Sequence, residues 1–216
     1  MKRSMKEWTI RIVILMIGLT IAHLGVTLFL LAELGSDPFN VMIQGFFRSL
    51  QQASGWQFLT HGRVHIAVCF LIILILLFID RSYIKAGTIL CMICGGPIID
   101  FFSRLLKPLR IQDQAMPVRI AILVLGCVIL AYGMTIVIKS DAGTGPNDLV
   151  AIVISDRLHR KFSVVRIIVD VCFVTIGWLT GGIFGIGTII CAFLVGPVAG
   201  IFLPLNEHII ESVVHR

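Results

Sequence analysis

Charge is scarce in this chain. Only 14% of its 216 residues are Asp, Glu, Lys or Arg, where a soluble domain carries about 25%. Hydrophobic residues make up 57% and the mean hydropathy is +1.00, which excludes an ordinary soluble domain and makes the chain an integral membrane protein. It also lacks a Gly-x-x-x-x-Gly-Lys-Ser/Thr loop for nucleotide, a His-Glu-x-x-His pair for zinc and a Gly-x-Ser-x-Gly elbow, and it has no polar stretch long enough to hold them. These absences argue against intrinsic ATP-driven pumping. No nucleophile–base pair is named either, so the chain reads as a non-enzyme with no cofactor and no metal. The net charge of +6 comes from Lys and Arg that fall between apolar runs rather than in a patch with interleaved aromatics, so nucleic acid is not an expected partner. Cysteine is absent from the loops: Cys69, Cys91, Cys94, Cys127, Cys172 and Cys191 all lie in apolar stretches, where buried small hydrophobes explain them. Cys91-x-x-Cys94 has redox or metal spacing, but it has no second pair and no nearby His.

What the chain does contain is its own first half twice. Arg11–Pro38 matches Arg119–Pro146 at an offset of 108, through pairs such as Arg11/Arg119, Gly18/Gly126, Gly25/Gly133, Gly35/Gly143 and Pro38/Pro146. Further on, Gly87-Thr88-Ile89-x-Cys91 and Gly96-Pro97 match Gly187-Thr188-Ile189-x-Cys191 and Gly196-Pro197 at an offset of 100. The first copy thus carries eight extra residues (108 − 100), placed in the loop around Gln51–Gly62. A duplicated membrane unit with matching breaks is the usual sign of a pore or carrier whose site lies between halves.

A bilayer core of about 30 Å needs roughly 20 apolar residues per helix. Eight segments are predicted: 8–32, 38–50, 64–79 and 83–102, then 118–138, 146–155, 164–180 and 183–203. If all eight cross with the N-terminus inside, fifteen of the eighteen Lys and Arg face the cytoplasm, leaving Arg81, Lys85 and Lys139 outside. The expected architecture is therefore an all-α polytopic protein of two parallel four-helix repeats, about eight transmembrane segments in all, each repeat with a short second helix broken at Gly-x-x-Pro. Residues 1–107 form the first repeat, 108–117 a cytoplasmic linker, 118–204 the second repeat and 205–216 a cytoplasmic tail with a short interfacial helix. Both termini are expected in the cytoplasm, and the run from Trp8 is too long for a cleaved signal peptide.

The most informative motif is the paired break, Leu34-Gly35-Ser36-Asp37-Pro38-Phe39-Asn40 against Ala142-Gly143-Thr144-Gly145-Pro146-Asn147-Asp148. Gly permits the reversal, Ser36 and Thr144 can cap the next helix, and Pro suits its first turn. Two helix N-termini would then lie in the outer half of the membrane, able to hold an anion, with Asn40, Asn147 and Asp148 available for a cation or polar solute. Two readings stand: a tight extracellular turn, or a substrate-lining break. Asp170, within an apolar run, costs ~2.5–3.5 kcal/mol to insert. It either pairs with Arg166 four residues earlier or serves as a proton or cation site. His23, on a stripe with Thr20 and Thr27, is either a packed side chain or a proton relay. Gly18, Gly25, Gly126 and Gly133, spaced by seven, permit close helix approach. Pro97 and Pro197 should kink their helices.

The pattern Arg-x6-Gly-x6-Gly leading to Leu-Gly-x-x-Pro-x-(Asn/Asp), then Gly-Thr-x-x-Cys and Gly-Pro, resembles the YczE/YyaS/YitT group of small bacterial integral membrane proteins. The resemblance covers Arg11–Asn40, Gly87–Pro97 and their copies, although the second copy has Ala142-Gly143 and replaces Asp37 with Gly145. It implies a plasma (inner) membrane protein engaged in transport. The sequence thus reads as a secondary transporter or permease of a small polar or anionic solute, with Ser36, Asn40, Thr144, Asn147 and Asp148 at the substrate and Asp170 and His23 as coupling groups. The competing class is a non-transporting membrane accessory protein that acts through a partner, which fits the lack of an ionisable residue shared by both halves at equal depth. Expected partners are the lipid bilayer, a small-molecule solute and a further copy of the same chain.

Overall fold

The computed structural model describes residues 4–160 and 162–214 as eight helices joined by short turns. They are α1 (Met5–Ala32), α2 (Pro38–Ser54), α3 (His61–Ile79), α4 (Ala86–Leu106), α5 (Met116–Ser140), α6 (Pro146–Leu158), α7 (Phe162–Leu179) and α8 (Ile186–Val214). Among the described residues, five helices are long and apolar enough to cross a membrane: α1, α3, α4 with the turn after it, α5 and α8. The outer surface carries large apolar side chains such as Phe70, Phe78, Phe101, Ile167 and Phe193, while polar side chains such as Asn40, His65, Thr135 and Asn206 are buried. That inversion of the soluble pattern is what a lipid solvent selects.

The centre of the bundle is the α1–α5 pair. Glycine removes the side chain where the two backbones meet: a Cβ on Gly18 would lie 2.9 Å from the Gly133 carbonyl, and one on Gly25 would lie 2.6 Å from that of Gly126. Position rises along α1 as it falls along α5, so the two helices run antiparallel. Their ends agree: Arg11 donates to the Ser140 carbonyl at 3.1 Å, and Arg119 donates twice to the Ala32 carbonyl, at 2.9 and 2.7 Å. Each arginine satisfies a carbonyl at the other helix's C-terminus, where no intrahelical donor remains. A second matched pair seats the fourth and eighth helices. Gly87 N–H donates to Ala142 O at 3.1 Å and Gly187 N–H to Leu34 O at 2.7 Å, positions related by the two sequence offsets (87 + 100 = 187; 34 + 108 = 142).

These contacts overturn the expected parallel arrangement with eight crossings. α4 starts beside the end of α5, and α8 starts beside the end of α1. The chain must therefore return from one end to the other between α1 and α4, and again between α5 and α8. In each interval one helix makes that passage, α3 or α7, while the short helix does not reverse it. Linker residues 107–115, two 3-10 turns, consequently lie at the end where α1 finishes, not on the side of Met5. Counting the short segments as crossings is what made the charge split look decisive. Lys6, Arg11, Arg81, Lys85, Lys139, Arg157 and Arg160 gather at the end where α1 begins; Arg48, Arg63, Arg104, Lys107, Arg110 and Arg119 gather at the other.

Two smaller expectations also change. α8 stays helical through Pro197 and Pro204 to Val214, held against α5 by Asn206 Nδ2 donating to Thr135 Oγ1 at 2.7 Å and by the Lys139–Glu207 ion pair. The segment from Leu205 is thus the last turns of α8 rather than a separate interfacial helix, and His215 and Arg216 lie outside the described residues. The length that the sequence placed wholly in the loop around Gln51–Gly62 falls partly in α2, which has 17 residues against 13 in α6.

Candidate functional site

Both breaks are formed, but at opposite ends of the bundle rather than together in one half. Gly35, at φ 110°, sits against Thr188 and Gly185 at the start of α8, and Gly143, at φ 147°, sits against Gly87 and Thr88 at the start of α4. Positive φ values of this size suit only glycine without strain. From each break the chain turns back inward before the short helix begins.

The caps differ from expectation. Because Pro38 and Pro146 occupy the first helical position, the capping residues are Asp37 and Gly145, not Ser36 and Thr144. Asp37 accepts from Asn40 N–H at 3.3 Å, from Asn40 Nδ2 at 2.8 Å and from Ser36 Oγ at 3.3 Å. Gly145 offers no side chain, and α6 starts without a side-chain cap.

α2 starts deep in the bundle. Phe39 packs edge-on to His65 and to Phe173, with ring centroids 5.5 and 5.4 Å apart, and Phe173 lies in the middle of α7. Asn40 is buried and its Oδ1 meets His61 Nε2 at 3.1 Å. Since the Asn40 amide nitrogen already donates to Asp37, its oxygen must accept, so His61 Nε2 carries the hydrogen. α2 then runs toward the end of α1, where Gln44 accepts from Ile183 N–H at 2.8 Å and Ser49 donates to Thr180 O at 2.6 Å. α6 runs the opposite way, toward Tyr83, whose hydroxyl donates to Asp156 at 2.7 Å, and Ile79, whose carbonyl accepts from Arg157 at 2.7 Å.

Arg166 is bonded at the second break and lies near the first. It donates to Asp148 at 2.6 Å and to Asp170 at 3.0 Å, and it stands within electrostatic reach of Asp37. The expected Arg166–Asp170 pair is thus formed, and Asp148 shares the same guanidinium. Asn147 supports that group by donating to Asp148 at 3.0 Å. Asp170 Oδ1 is buried with no partner. Thr144 is half-buried beside the second break.

His23 packs as the other coupling candidate of the sequence, with Nδ1 donating to the Leu19 carbonyl at 2.8 Å and its ring 5.7 Å from that of His65. The residues that sequence reasoning missed are His61, His65 and Asp37. The signal was present: His61 and His65, four apart, share one face of an apolar helix, where an ionisable side chain is a functional marker. α3 begins three residues earlier than the sequence suggested: Thr60 caps it by accepting from Arg63 N–H at 3.2 Å, and Asp100 on α4 reinforces that start, accepting from Gly62 N–H at 3.0 Å and from Thr60 Oγ1 at 2.6 Å. Among the described residues no group of three or more His, Cys, Asp or Glu has metal-binding geometry, and all six cysteines are free thiols.

An apolar coat around a polar, charge-paired interior defines a multi-pass α-helical membrane protein. The chain belongs to the family of unknown function DUF6198, whose family model matches residues 9–204. It is 30% identical to the uncharacterised membrane protein YczE of Bacillus subtilis, over 92% of this chain and 88% of that one. A Haemophilus influenzae protein is 27% identical over 91% of this chain and 86% of its own length, and YyaS of Bacillus subtilis is 26% identical over 88% and 91%. No solved structure matches.

Proposed function

We propose that this protein is a secondary transporter that moves a small polar solute across the plasma membrane without transforming it, driven by the solute's own gradient or by protons. The observation that carries the reading is the pair of short helices that begin inside the bundle at equivalent breaks and point apart, with Arg166 bonded at the second break and near the first. Short helices that begin inside the bundle after a turned-back break are how membrane carriers place a solute site away from lipid. The antiparallel α1–α5 pair and the matched bonds of Gly87 and Gly187 support two inverted four-helix halves with six full crossings, α1, α3, α4, α5, α7 and α8. The end where α1 begins carries more cations, with Lys2 and Arg3 just ahead of it in sequence, which favours both termini in the cytoplasm.

Asn40, Asn147 and Asp148 are the proposed solute contacts, with Ser36 and Thr144 shaping the breaks. The positive end of α2 is already met by Asp37, and Asp148 and Asp170 together outnumber the one guanidinium they share. This balance favours a neutral or cationic polar solute over an anion. The test is uptake of a metabolite mixture into vesicles containing the purified protein. Asn40→Ala and Asp148→Asn are expected to lose the uptake seen with the parent protein while eluting as folded protein; unchanged uptake in both removes the site from these breaks.

A further inference from the structure

Two imidazoles face each other across a single glycine at the heart of the first half. His23 lies two thirds of the way along α1. Its Nδ1 points at the Leu19 carbonyl, 2.8 Å away; a carbonyl only accepts, so Nδ1 carries the hydrogen and Nε2 of the neutral ring presents a bare lone pair. His65, on α3, is 7% exposed, and its Nδ1 has no partner. The rings meet edge-on at 5.7 Å with 73° between their planes. Both Nε2 atoms are directed at Gly95 of α4: a Cβ placed there would lie 2.8 Å from His23 Nε2 and 3.1 Å from His65 Nε2. Glycine is what leaves that space open, at hydrogen-bond range of both nitrogens.

The surroundings of this pair hold few other charges. The ionisable groups in electrostatic reach of His65 are His23 from α1 and His61 from its own helix. α2 presents the uncharged edge of Phe39, and α4 presents Gly95. His61 is committed to Asn40 and, through it, to Asp37. Neither member recurs in the second half, where the matching positions are Ala131, Val165 and, for the glycine, Val195. The device is therefore built once, beside the solute contacts at the head of α2.

We propose that His23 and His65, opposed across Gly95, form a binding site for a single proton. One proton taken up at the His23 Nε2 lone pair and shared with His65, directly or through a water molecule, is held by both rings; a second would place two cations side by side in the bundle interior, so the pair takes up one charge and resists the next. Bond order balances simply: the proton adds to the Nε2 lone pair and leaves by the same route, with no other bond formed or broken. As the coupling group of the carrier, a role that rests on the transport reading above, this pair takes the place of Asp170, which is committed to Arg166.

The experiment uses the full chain, labelled with nitrogen-15 in its histidines and reconstituted in vesicles of phosphatidylethanolamine and phosphatidylglycerol, with the imidazole resonances followed by solid-state NMR as pH is lowered. The expected result is two well-separated steps for His23 and His65. His65→Gln should collapse the His23 titration to one step, and His23→Gln should do the same for His65, so one variant still reports if the other fails to fold. Gly95→Ala should abolish the separation by filling the shared space. Two rings that titrate independently, or that stay neutral while exposed histidines protonate, overturn the site. The same vesicles under a pH gradient judge the coupling role: loss of gradient-driven uptake in both histidine variants supports it, and unchanged uptake overturns it. If the parent protein takes up nothing, the carrier reading falls while the NMR result still decides the proton site.

Discussion

Arg166 is the residue on which the interior charges depend. It is bonded to Asp148 and Asp170, and all three side chains are less than one third exposed. Removing one partner of a buried pair leaves an uncompensated charge and costs about 3–5 kcal/mol. The two ways of breaking this triad are unequal. Asp170→Asn leaves Arg166 its shorter bond, to Asp148, whereas Arg166→Gln strands two carboxylates at once. Thermal unfolding of the detergent-solubilised protein should therefore show a much larger loss of Tm and folded yield for Arg166→Gln than for Asp170→Asn. Equal losses would mean that Asp148 does not stabilise the guanidinium. The Asp170 pairing was legible in the sequence because an i,i+4 spacing needs only local helix geometry. The share taken by Asp148 was not, because it depends on how α6 meets α7.

At the scale of elements, close approach at glycine organises the bundle. A methyl at Gly25 would meet backbone atoms, Gly126 O and Leu130 N, each at 2.6 Å, and backbone cannot move aside as a flexible side chain would. Gly25→Ala should cost about 1–3 kcal/mol, while Gly196→Ala, where a Cβ has nothing within 4 Å, should leave Tm unchanged; thermal melting of the two variants side by side checks this. The seven-residue spacing of Gly18 and Gly25, repeated in Gly126 and Gly133, announced such a seam. It did not announce the direction, since a glycine face serves a parallel and an antiparallel neighbour equally well. Direction came from long-range bonds, Arg11 to Ser140 and Arg119 to Ala32, which no local pattern encodes. The start of α3 had a local signal in its cap, Thr60, and only the reinforcement by Asp100, forty residues away, lay outside any local pattern.

For the whole molecule, the orientation of the halves has a direct test. The turn before α5 lies at the end where α1 finishes, and Ser4 lies at the other. In a cysteine-free background, Gln114→Cys and Ser4→Cys should react with an impermeant thiol reagent from opposite faces of sealed vesicles. Labelling from one face would restore the parallel arrangement. The short second helices could be read from the sequence; their failure to cross could not, because a helix that starts in the bundle interior and one that spans a thin layer have the same composition.

The reciprocal bonds at the two breaks also bear on how the protein is made. Leu34 O is satisfied by Gly187 N–H, and Ala32 O by Arg119, so the end of the first helix is completed by residues synthesised 153 (187 − 34) and 87 positions later. During translation α1 is made before these partners exist, and its end gains their donors only when α5 and then α8 arrive. The bond that sets the first break therefore forms only after the start of the last helix has been made, and it ties the end of the first helix to the presence of the last.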